Sequence, residues 1–108
     1  DGTLGPYITL HTFGLDHRGV HRGVDGMTLD QDGNIIACAG WEISGPGPML
    51  YVFSPTGRVL ETHPIPTRRP TNCCFGDADM QTLYVTTIDG ELFRARTNRR
   101  GWIMWPAG

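Results

Sequence analysis

Apolar and polar residues alternate with a period of two along most of the chain, in short runs punctuated by Gly and Pro. Met27 and Leu29 alternate with Thr28 and Asp30, the pattern of a half-buried strand. Asp32-Gly33 then reads as a hairpin turn, because Gly accepts the positive φ such turns demand. The apolar run that follows reads as a buried return strand. The same reasoning predicts the antiparallel pairs 26–30/34–39, 49–54/58–62 and 82–87/91–96, and a further strand over Asn72-Cys73-Cys74-Phe75. Tyr7 to Phe13 also alternates and predicts a strand. Gly40 to Pro48 is too rich in chain breakers to be anything but a loop, and Pro64, Pro66 and Pro70 stiffen the next connection. No helix longer than one turn is expected.

The pattern repeats. Leu29 and Phe75 occupy like places, so the period is roughly 45 residues, the range of propeller blades. The expected fold is all-β: a β-propeller piece of about two four-stranded antiparallel blades, with residues 1–108 forming one partial domain. Propellers need about four to eight blades to close, so this chain cannot close a ring alone. Missing blades or self-association would have to cover its open faces.

Composition narrows the chemistry. Net charge is −2, and all nine basic residues are Arg. That balance gives no nucleic-acid footprint. Without Lys, neither a Schiff-base lysine nor a phosphate-cradling P-loop lysine is available. No apolar run approaches a membrane span. The three cysteines, Cys38, Cys73 and Cys74, read as free thiols, because adjacent Cys73 and Cys74 in a strand point to opposite faces.

Few residues have the look of a site. Asp25 is set between a small residue and a glycine and reads as a loop carboxylate at the mouth of a strand. That is a place for a metal ligand or a general base. Asn72 begins a strand in a similar way and is a candidate substrate contact. Asp30 to Asn34 has the opening of a calcium-binding loop, but the position of its bidentate Glu is Trp41, so it reads as a turn. His17 and His21 have a metal-ligand spacing only on a helix, and Gly19 lies between them. Trp41-Glu42 opens the Gly/Pro loop and is placed to roof a pocket. No Ser occupies a nucleophile elbow.

Val24 to Asp30 with Asp32-Gly33-Asn34 resembles the central signature of the gluconolactonase, regucalcin and senescence-marker-protein family. Tyr51 to Arg58, Arg69 to Gly76 and Thr82 to Thr87 resemble its following blocks, in the same order. The resemblance runs from about Arg22 to Arg96 and places the chain as the C-terminal third of such a protein. It implies a six-bladed propeller with one divalent cation in the channel: Ca²⁺ first, with Zn²⁺, Mn²⁺ or Mg²⁺ as alternatives. It also implies hydrolysis of a small sugar lactone, with other esters or phosphotriesters the substrates of relatives; the expected location is the cytoplasm. The family's aspartate, a metal ligand and proposed base, falls on Asp25. Its glutamate and two asparagines come from earlier blades that have no counterpart here. The alternative is a non-catalytic propeller or binding protein that keeps the scaffold without the complete site.

Overall fold

The computed structural model describes residues 5–14 and 22–103. Among them are seven strands: β1 (Val24–Leu29), β2 (Ile35–Ala39), β3 (Met49–Phe53), β4 (Val59–Pro64), β5 (Pro70–Gly76), β6 (Thr82–Thr87) and β7 (Leu92–Arg96). The first four form one antiparallel sheet in sequence order, and the last three form a second. The expected hairpins are present as β1/β2, β3/β4 and β6/β7. The second sheet has three strands among the described residues, where four were expected. The described residues include no helix, so none is long and apolar enough to cross a membrane.

Turn chemistry sets the hairpins. Gly33, Gly57 and Gly90 each have φ above +80° at a tight turn, where a side chain would be strained. The first turn is held by Asp30, whose Oδ1 accepts the Asp32 and Asn34 backbone N–H groups at 3.0 and 2.9 Å. Its Oδ2 accepts the Asn34 amide at 3.0 Å. These bonds use the carboxylate as a turn former, which fits the reading of 30–34 as a hairpin turn.

The core lies between the sheets. Ile36, Cys38, Leu50 and Val52 of the first pack against Cys73, Phe75, Leu83 and Val85 of the second. The two sheets thus stand as neighbouring blades of a β-propeller, with β1 and β2 lying against β5 at their junction. A second cluster, Ala37, Ala39, Tyr51 and Phe53, occupies the far face of the first sheet.

Two expectations are corrected. Tyr7 to Phe13 is not a strand, because this segment lies across a sheet face and pairs with no edge. The Phe13 ring meets Tyr51 at 5.1 Å, and His11 meets Phe53 at 5.0 Å. The β1 alternation has the expected period, but Met27 and Leu29 are 60% and 41% exposed. They lie on the far face, in register with Ala37 and Ile35. Phe75 takes the corresponding place in the second sheet and is only 8% exposed, because the first sheet covers it.

Candidate functional site

Asp25 lies within β1 and not in a loop before it. Val24 pairs with Ala39 and Met27 with Ala37, so β1 carries one extra residue across Asp25-Gly26. This is a β-bulge, a device that turns a side chain away from the regular pleat. Val24 and Gly26 do not shield the carboxylate, which is half-exposed. The start of β1 is anchored by buried Arg22, whose guanidinium lies 5.2 Å from the Tyr51 ring centroid. Gly40 makes room for it, since an added Cβ there would come within 2.5 Å of the Arg22 Cζ.

The second sheet repeats the device. Pro70 pairs with Thr87 and Asn72 with Thr86, leaving Thr71 as the extra residue. Asn72 follows this bulge and packs directly on Gly26, where an added Cβ would overlap its amide. The Asn72 Oδ1 accepts the Cys73 N–H at 2.9 Å. The fold therefore brings the two candidates together on adjacent strands of different sheets.

A third residue joins them. The Arg69 Nη2 donates to the Asp25 Oδ2 at 3.5 Å, with both side chains about half exposed. Single-residue reasoning did not find Arg69. The available signal was its place just before the Pro70 bulge, in the block that supplies Asn72. Its neighbour Arg68 turns elsewhere, donating from Nε to both Asp89 oxygens at 3.0 Å.

The other candidates lie apart or outside. Trp41-Glu42 opens a loop that docks on the β4–β5 connection, with the Glu42 N–H donating to the Arg68 carbonyl at 2.8 Å. Ser44 Oγ ties that loop to the Trp41 backbone. His17 and His21 fall outside the described residues. Beneath the site, buried Cys38 and Cys73 meet across the sheet junction, while Cys74 is exposed; all three thiols are free. Contact with Cys38, together with burial, pushes the Cys73 thiol well up from its ordinary range.

Asp25 fits one corner of a cation site, being a half-exposed carboxylate aimed by a bulge. Hard oxygen donors of this kind suit Ca²⁺, Mg²⁺ or Mn²⁺. Among the described residues no group of three or more His, Cys, Asp or Glu side chains gathers to hold a metal ion. Among the described residues the chain thus presents one candidate ligand, with the Asn72 amide beside it, and not a closed shell.

The family model described as "SMP-30/Gluconolactonase/LRE-like region" matches residues 2–89. Regucalcin from Danio rerio is 39% identical over 64 residues, covering 58% of this chain and 20% of the relative. The 6-deoxy-6-sulfogluconolactonase of Pseudomonas putida is 36% identical over 87 residues, covering 81% of this chain and 27% of the relative. Pentonolactonase XacC of Haloferax volcanii is 34% identical over 67 residues, 62% of this chain and 21% of the relative. An X-ray structure titled as a gluconolactonase superposes with a TM-score of 0.60 at 31% identity, over 74% of this chain and 24% of that one. The chain spans about a quarter of the length of these relatives or less. Signature, sheet architecture and matched segment agree, and the chain belongs to the SMP-30/gluconolactonase/LRE-like family.

Proposed function

We propose that the chain forms part of a metal-dependent hydrolase of sugar lactones and that Asp25 is the cation ligand it supplies. The observation that carries this reading is the bulged Asp25, presented beside Asn72 within the segment the family model matches. Relatives named as lactonases of sugar acids support the substrate class.

A divalent cation, when bound, supplies Lewis acidity that polarises a lactone carbonyl and favours attack by water. The Asp25 carboxylate would help hold the cation, and Asp25 or a neighbouring carboxylate could accept a proton from the attacking water. The ligand role is the stronger of the two, since an open, bulge-aimed carboxylate suits it without further support. Asn72 presents an amide next to that carboxylate, suited to hydrogen-bonding a sugar hydroxyl.

The test is Asp25→Asn in a protein with all its blades, assayed on gluconolactone with added Ca²⁺, Mn²⁺ or Zn²⁺. Hydrolysis should fall by orders of magnitude while the far-UV spectrum stays that of a β protein. Full activity in that variant would remove Asp25 from the mechanism. The 108-residue chain alone should hydrolyse nothing; robust activity there would show a site built another way. The second reading, a scaffold without catalysis, draws on the lone carboxylate, and it gains if the complete protein binds a lactone but never opens it.

A further inference from the structure

We propose that Arg69 is a positioning residue for Asp25, a built-in counter-cation that an incoming metal ion must displace. The proposal rests on the cation reading above and adds what happens at the carboxylate before a cation arrives. Three arginines elsewhere in the fold are tightly engaged, Arg96 among them, donating to the two Asp79 oxygens at 3.1 and 2.6 Å. Arg68 grips Asp89 through several hydrogen bonds, and Arg99 spans Asp30 and Glu61. Arg69 is different: among the described residues its guanidinium makes one hydrogen bond, the 3.5 Å approach to Asp25, at the long edge of hydrogen bonding.

The backbone under it is fixed. The Ile88 N–H donates to the Arg69 carbonyl at 3.0 Å, and Pro70, which follows, is buried. A pinned base with a loosely held head describes an arm that can leave its partner without disturbing the sheet. While in place, the guanidinium neutralises Asp25 and keeps it turned toward the sheet junction. A cation at the same oxygen repels the guanidinium and removes its reason to stay. Arg69 thus sets a threshold on cation binding: the metal's gain at Asp25 is reduced by the ion pair it breaks. An exposed pair of this kind is weak, so the threshold is low and the exchange reversible.

The experiment is a Mn²⁺ titration of the 108-residue chain, followed by paramagnetic broadening of its backbone amide resonances in ¹⁵N-resolved NMR. Broadening should centre on Gly26 and Asn72 at millimolar Mn²⁺ and be absent in Asp25→Asn. Arg69→Gln should reach half-broadening at roughly two- to fivefold lower Mn²⁺, the size expected of an exposed ion pair. Arg69→Lys keeps the charge and should titrate like the parent chain. Coincident curves for the parent and Arg69→Gln, with Asp25→Asn still silent, would overturn the role of Arg69 and leave the cation reading standing. No Asp25-dependent broadening in either chain would overturn the role of Arg69, and the cation reading would then be decided by Asp25→Asn in the protein with all its blades.

Discussion

Gly26 shows how closely one residue governs the site. Its hydrogen is all that fits beneath the Asn72 amide, so Gly26→Ala should drive Asn72 off and part β1 from β5. Overpacking of this sort costs about 1–3 kcal/mol, to be read as a lower urea midpoint with an unchanged slope. Asp30 offers a second residue-scale test. Burial alone would raise its pKa, but hydrogen bonds from Asn34, Arg99 and the Asp32 backbone outweigh it and hold the carboxyl below its ordinary value. A depressed folded pKa gives stability that is present above the unfolded value and lost as pH falls through the folded one. The urea midpoint should therefore drop below about pH 4. Asp30→Asn should start lower at neutral pH and lose part of that drop. Equal slopes in both proteins would show that Asp30 stays charged or contributes nothing. None of this was legible from Asp30 alone, since its Arg99 partner is remote in sequence and reaches it only because Thr97 to Trp102 returns to the Asp30 turn.

Strands and turns were legible because both are local: period-two alternation needs only neighbours, and Asp32-Gly33, Ser54 to Gly57 and Asp89-Gly90 carry their own turn chemistry. Which face a strand buries is not local. Met27 and Leu29 read as core and are exposed, whereas Phe75 in the same repeat position is covered by the first sheet. The bulge at Asp25 was hidden for the same reason, because it exists only in the register of β1 against β2. The opposed directions of Cys73 and Cys74 were legible, and they make an element-scale prediction. On native protein a thiol reagent should label Cys74 alone, since Cys38 and Cys73 are buried and the Cys73 thiolate is disfavoured. After denaturation without reductant the count should rise to three. A native count of three would show that β2 and β5 separate readily; a denatured count of one would show a disulfide.

At the scale of the whole molecule, two sheets make a wedge with one shared core and two outward faces. A cleft of about 680 Å³ opens between the sheets, floored by Ile36, Leu50 and Phe75 and rimmed by Glu61, His63 and Arg99. Arg99 ties Asp30 and Glu61 of the first sheet to the chain that leaves β7, so charge as well as apolar packing holds the wedge together. The outward faces are less closed, although the segment carrying His11 and Phe13 covers Tyr51 and Phe53 on the first. Val24, Met27 and Leu29 stand open on one, and Leu92 is open on the strand that ends the second sheet. β7 pairs only with β6 among the described residues, which leaves a row of backbone groups able to accept another strand. Contiguous apolar surface beside an unpaired edge drives association. The 108-residue chain should accordingly self-associate at micromolar concentration, with sedimentation velocity showing species heavier than 11.9 kDa. Met27→Asp with Leu29→Glu should shift it toward monomer without unfolding it, because neither side chain belongs to the core between the sheets. If the parent chain sediments as a stable monomer, these faces are tolerated in water and the expectation fails. If the double variant associates as strongly as the parent, the β7 edge and not the β1 face holds the assembly, and a proline placed in β7 would then be the substitution that dissolves it.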